Sequence, residues 1–138
     1  MINTIMKRKH LQAFSLTELL IALAIVGILV LIALPNLMPL ISEAKGTEAK
    51  LQLKHLYTLE KRYFYINSKY TTDFKELGFE HSKLVTDGGN ANYKIEVSAA
   101  TNNSFKATAT AVIDFNQDGK FNLWEIDQDQ NLKEITKD

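Results

Sequence analysis

The chain has 138 residues, 46% of them hydrophobic and 23% charged, with Lys+Arg and Asp+Glu both at 16. It contains no cysteine, which excludes disulfides, thiol catalysis and Cys-ligated zinc. Three of the cations, Lys7, Arg8 and Lys9, precede Phe14, so the chain from Phe14 onward has 13 cations against 16 anions and no basic patch that indicates nucleic-acid readout.

The first element is apolar. From Phe14 to Leu34 the chain reads FSLTELLIALAIVGILVLIAL, 21 residues that are apolar or small apart from one charge, Glu18. As a helix this stretch spans roughly 31 Å, enough for a bilayer core of ~30 Å. An acid inside such a segment is costly and therefore a functional candidate. An ordinary secretory signal, cleaved after Ser42-Glu43-Ala44, is one reading, although the run from Leu19 to Leu34 exceeds the usual apolar length. An uncleaved signal anchor is another. Either way the basic leader stays in the cytoplasm and the remainder crosses the membrane.

A third reading comes from likeness. The segment AFSLTELLIALAIVGILVLIALP, with the basic leader before it, resembles the prepilin signature of type IV pilins, type II secretion pseudopilins and related filament subunits. The resemblance implies a leader of residues 1–13, cut by prepilin peptidase between Ala13 and Phe14, with Phe14 then N-methylated. It places Glu18 where the family carries the acid that meets the N-terminal amine of a neighbouring subunit during assembly. Gly27 and Pro35 also fall at family positions, and the segment between them is expected to be a site of helix flexibility. Ala13 departs from the glycine usual before the cut. A buried lone charge is costly and a paired one tolerable, so such a pair would select the axial register.

The helical pattern continues beyond the membrane segment. Ala49, Leu53, Leu56, Tyr63 and Ile66 form an apolar stripe, while Glu48, Lys50, Lys54, Glu60 and Lys61 fall mainly on other faces. One helix from about Ser15 to Asn67 is expected, interrupted or kinked at Pro35 and Pro39. Residues 14–41 would be the transmembrane and filament-core helix, and 42–138 the head with the second half of the helix.

In the head, Asp73 and Glu76 have capping-box-like spacing and Gly78 ends a short turn. Asp87-Gly88-Gly89-Asn90 is a loop. Strands are expected at Tyr93–Ala99, Phe105–Ile113, Phe121–Asp127 and Leu132–Thr136, with turns at Asn102-Asn103 and Asp129-Gln130-Asn131. Four antiparallel strands laid on the helix make an α+β, pilin-like head.

The stretch Asp114-Phe115-Asn116-Gln117-Asp118-Gly119, followed by five residues and Glu125, satisfies the D-x-[DN]-x-[DN]-G-x5-E calcium pattern. Asp114, Asn116, Asp118, the Lys120 carbonyl, Asn122 through water, and Glu125 are the candidate oxygen ligands for this hard cation. The flanking segments look like strands, so a plain Asp-Gly hairpin turn is the alternative. Trp124, beside Glu125, is expected to pack in the core or hairpin and would report cation binding.

His10, His55 and His81 show no zinc-like spacing, and no nucleophile-elbow, P-loop or dinucleotide motif is present, so no enzyme is expected. The resemblance implies a polymerising pilin subunit, or alternatively a pseudopilin driving protein export. A more distant alternative is a non-polymerising, membrane-anchored calcium-binding module. The implied partners are other copies and related subunits, the prepilin peptidase/methyltransferase, an inner-membrane assembly platform and, before assembly, lipid. The implied location is the bacterial inner membrane, single-pass with the N-terminus cytoplasmic, and then a periplasmic or surface filament.

Overall fold

The computed structural model describes residues 13–138; the basic leader, His10 and the other residues of 1–12 lie outside that range. Its elements are α1 (Leu16–Asn67), α2 (Phe74–Leu77), a 3-10 turn (Val85–Asp87), β1 (Tyr93–Ala100), β2 (Phe105–Ala111), β3 (Leu123–Asp127) and β4 (Leu132–Thr136). The strands form one antiparallel sheet in the order β1-β2-β3-β4, so the α+β class and the four-strand meander are as expected.

The chain divides into two units, residues up to Asn36 and Leu37–Asp138. Helix α1 continues through Pro35 and Pro39, so the expected interruption is not found. Each proline removes one N–H from the ladder without ending the helix. In the first unit every described residue is exposed.

The second unit has a core between α1 and the inner face of the sheet. From α1 it receives Ala49, Leu53 and Leu56, all at 0% exposure. From β2 it receives Phe105, Ala107, Ala109 and Ala111, which alternate with outward Lys106, Thr108 and Thr110 as strand periodicity requires. Tyr93, Ile95 and Ile126 complete the layer from the neighbouring strands.

The helical stripe differs from expectation at its C-terminal end. The buried positions are Ser42, Gly46, Ala49, Leu53, Leu56 and Glu60, whereas Ile66 is 75% exposed. Continuing the 4,3 spacing past Leu56 lands on Glu60, so this acid lies inward rather than on an outer face. Gly46 belongs to the stripe because Trp124 lies against it: a Cβ there would meet the indole Nε1 at 3.5 Å.

Two strand ends are shorter than expected. After Ala111 the Val112 N–H turns back to the Asn92 carbonyl at 2.9 Å, and β3 begins only after Asn122, whose side chain points inward. Asp73 caps α2 through the Lys75 N–H at 2.8 Å, and Gly78 closes it in a left-handed conformation. Glu76 does not complete a capping box. Its carboxylate accepts instead from the Tyr63 hydroxyl at 3.0 Å and the Thr71 hydroxyl at 2.6 Å, fastening α2 to α1. Gly89 is required by close approach, since a Cβ there would overlap the Lys83 carbonyl.

Candidate functional site

Two regions hold the residues singled out by sequence. The first is the start of α1. Ala13 and Phe14 are exposed ahead of the helix. The Ser15 N–H donates to Glu18 Oε2 at 2.7 Å, and the Glu18 N–H donates to Ser15 Oγ at 3.3 Å. This reciprocal pair is a capping box, which satisfies two of the N–H groups that a helix start leaves without partners. The S-x-x-E pattern before an apolar run announces it in the sequence, where Glu18 is more readily read for its charge alone. The box holds the carboxylate at the positive end of the helix with Glu18 still exposed.

Beyond Glu18 the helix shows apolar side chains on all sides. Leu19, Leu23, Ile28 and Leu31 are among those more than half exposed, and an 18-residue window has mean hydropathy 2.8 with none of it buried. A continuous apolar surface of this kind requires lipid or other protein to cover it. By length and composition α1 is able to cross a membrane. Gly27 lies within this stretch, and a Cβ at that position would have nothing within 4 Å, so no contact there demands glycine. Pro35 closes the segment near the unit boundary.

The second region is the loop from Asp114 to Lys120. The Asp114 carboxylate accepts from the N–H groups of Gln117 (2.6 Å), Asp118 (3.2 Å) and Gly119 (2.7 Å). Asn116 Oδ1 accepts from the Asp118 N–H at 2.8 Å, and Asp118 Oδ1 from the Lys120 N–H at 2.9 Å. Gly119 and Gln117 adopt positive φ to close the turn.

The loop gathers a residue that the linear motif does not contain. Asp138, 7% exposed, accepts from the N–H groups of Phe115 and Asn116 at 2.8 and 3.1 Å. One carboxylate oxygen from each of Asp114, Asp118 and Asp138 lies within 4.8 Å of the others. Glu125, expected as the terminal ligand, is elsewhere: on β3, opposite Thr108 and paired with Lys106 Nζ at 3.0 Å. Strand geometry turns it to the outer face, because the loop is followed by a strand and not by the helix that carries such a glutamate inward.

Asn122 is also reassigned. It is 1% exposed, its Oδ1 accepts from the Tyr93 hydroxyl at 2.8 Å, and its Nδ2 donates to Glu134 Oε1 at 2.7 Å and the Thr136 carbonyl at 3.1 Å. Burial is the main cause that raises the Tyr93 hydroxyl pKa, with Glu48, Asp138 and Glu134 adding to it, so Tyr93 is a neutral donor. A second tie joins the sheet to α1: Glu48 accepts from both the backbone N–H and Nδ2 of Asn92, at 2.8 and 2.7 Å. Asn92 does not stand out by sequence, and Asn122 does so only as a loop ligand, since polar residues in loops look solvent-facing. Trp124 packs as expected, with Lys50 Nζ 4.6 Å from the ring centroid.

Comparison with known proteins places both halves of the chain. Residues 8–34 match the prokaryotic N-terminal methylation motif. Residues 35–121 match the family described as type IV minor pilin ComP, DNA uptake sequence receptor. The type IV major pilin protein PilA of Myxococcus xanthus (strain DK1622) is 36% identical over 88 residues, covering 64% of this chain. The match spans 38% of the length of that relative.

Proposed function

Since this chain belongs to the type IV pilin family, we propose that it is a filament subunit, processed between Ala13 and Phe14, N-methylated on Phe14 and polymerised through its apolar helix. The observation that carries this reading is Glu18 in its capping box at the head of an uncovered apolar helix. Before assembly, lipid covers that surface, with the N-terminus cytoplasmic and the head across the inner membrane. After assembly, the helices of other copies cover it, and Glu18 is neutralised by the N-terminal amine of a neighbour. The box favours this because it fixes the carboxylate beside the start of the chain before any partner arrives, so less freedom is lost on pairing. The peptidase/methyltransferase and an inner-membrane platform are the partners that such a route requires.

The pilus reading is preferred to a secretion pseudopilus because the family description and the relative both name pilins. The DNA-receptor role in that description is not extended to this chain. With 13 cations against 16 anions from Phe14 onward, it lacks the net positive charge on which phosphate binding draws. We also propose that the Asp114–Lys120 loop takes calcium through Asp114, Asn116, Asp118 and Asp138, on the strength of three carboxylates within 4.8 Å. Oxygen ligands of this kind suit a hard cation, which would relieve their mutual repulsion.

The deciding experiment is mass spectrometry of the terminal peptide from protein purified out of native cells. N-methylated Phe14 is expected. An intact Met1 or a start at Lys45 would overturn the filament reading and leave an anchored or secreted module.

A further inference from the structure

The buried stripe of α1 ends on an acid. Glu60 is at 0% exposure, and its two carboxylate oxygens have different surroundings. Oε2 accepts one long hydrogen bond, from the Thr71 N–H at 3.3 Å, while Oε1 is buried with no partner. No ion pair with Glu60 is found among the described residues.

The charged and titratable groups on the adjoining segments are either bonded elsewhere or exposed. On α1, Lys61 donates to the Tyr70 hydroxyl at 3.1 Å, and the Tyr63 hydroxyl is bound to Glu76. Arg62 is exposed, with its guanidinium towards Gly78. On the link after α1, Lys69 and Asp73 are exposed, and Asp73 caps α2. On α2, Glu76 is held by Tyr63 and Thr71, and adds negative charge to the surroundings. On the sheet side, β2 presents Phe105, whose ring lies 4.9 Å from that of Tyr70.

An ionised carboxylate with one weak donor and no counter-charge is expensive in such a place, and a protonated one much less so. What Glu60 holds is the link between helix and sheet. Its neighbour Tyr70 is 6% exposed, stacks on Phe64 with centroids 4.8 Å apart, and donates its N–H to the Thr101 carbonyl at 3.0 Å. Ser68, just before it, takes a positive φ to turn the chain back.

We propose that Glu60 is a proton-operated latch, which when protonated stays in the core and clamps the Tyr70–Thr71 link to α1, and when ionised leaves the core for water and releases that link. Burial pushes the carboxyl up to about 7, with the Thr71 N–H pulling weakly the other way. The folded head therefore holds this proton more tightly than the unfolded chain does. The stabilisation is complete at acid pH and is lost as pH rises through the folded value.

The test uses the full chain in detergent micelles, unfolded with denaturant at pH 5 and pH 8. For the wild type, the unfolding constant is expected to rise on the order of 50-fold between these values. Glu60→Gln, which keeps an acceptor for Thr71, is expected to flatten that dependence and to lie within about fourfold of the wild type at pH 5. Hydrogen exchange in peptides covering 68–73, corrected for intrinsic rates, is expected to accelerate at pH 8 in the wild type only. The proposal is overturned if the wild type is insensitive to pH, if Glu60→Gln keeps the dependence, or if exchange in the link does not respond. Should Glu60→Gln fail to fold, infrared difference spectra of the wild type with labelled glutamate decide: a buried acid signal that disappears between pH 5 and 8 supports the latch, and ionised Glu60 at pH 5 refutes it.

Discussion

Replacing Asn122 by alanine tests whether this residue is structural or a cation ligand. The substitution removes the acceptor of the Tyr93 hydroxyl, and Tyr93 is itself only 1% exposed, so water does not replace it. A buried donor left without a partner costs ~1–3 kcal/mol. The other two bonds of Asn122 go to Glu134 and Thr136, which are not buried and regain water, so they add little. A total of ~2–3 kcal/mol follows, equivalent to a fall of roughly 10 °C or more in Tm for a head of this size. Tyr93→Phe removes the opposite member and orphans Asn122 Oδ1 at a similar cost. In the double variant Tyr93→Phe/Asn122→Ala neither orphan exists, so the loss should be smaller than the sum of the single losses by ~1–2 kcal/mol. Denaturant unfolding of the full chain in detergent, followed by near-ultraviolet circular dichroism, measures all four corners of the cycle. Additive losses, or a loss below ~0.5 kcal/mol for Asn122→Ala, would refute the reasoning. If Asn122 were instead a calcium ligand, its replacement would chiefly weaken the response to calcium.

At the N-terminus, Glu18→Gln keeps the capping box but removes the charge, whereas Ser15→Ala keeps the charge and removes the hydroxyl of the box. Filament yield, measured on surface fibres sheared from cells, should collapse in Glu18→Gln and persist in Ser15→Ala; equal yields would show that assembly does not use the charge. In the head, millimolar calcium should raise Tm and perturb Trp124 fluorescence, and Asp114→Asn should abolish both responses. A wild-type shift under ~1 °C would leave the loop as a turn closed by its own amides, a fraction of the several degrees that 1 kcal/mol of ligand stabilisation would give.

Much of the fold is legible in the sequence because its two periodicities are regular. Alternation on β2, Phe105 to Ala111, gives a strand with its inner face already sorted. The stripe Ala49, Leu53, Leu56 gives the buried face of α1. Glu60 escapes the same reasoning because residue identity competes with position: a 4,3 spacing continued by one step reaches it, while a charged side chain argues for the surface. Ile66 fails in the opposite sense, apolar but beyond the point where the sheet covers the helix, and so exposed. The acidic loop shows a different limit. Asp114, Asn116 and Asp118 are contiguous and readable, but Asp138 reaches Phe115 and Asn116 across 23 and 22 residues, a proximity that only the closing of β3 on β4 creates. Asn92 and the structural role of Asn122 are hidden for the same reason, their partners being Glu48, 44 residues away, and Tyr93, 29 residues away.

The strand order β1-β2-β3-β4 has a consequence for how the head comes together. The loops between successive strands run from four residues (101–104 and 128–131) to eleven (112–122), and the entropic cost of closure grows only slowly with length. The sheet can therefore zip from one neighbour to the next without a long-range search. The demanding closures are those that fasten α1 to it: Glu48 to Asn92 across 44 residues, and Ser42 Oγ to the Asp138 carbonyl, 2.6 Å apart across 96. Contacts of high sequence separation slow folding because order must be imposed before they form. Docking onto α1, rather than strand pairing, is then the step expected to set the rate.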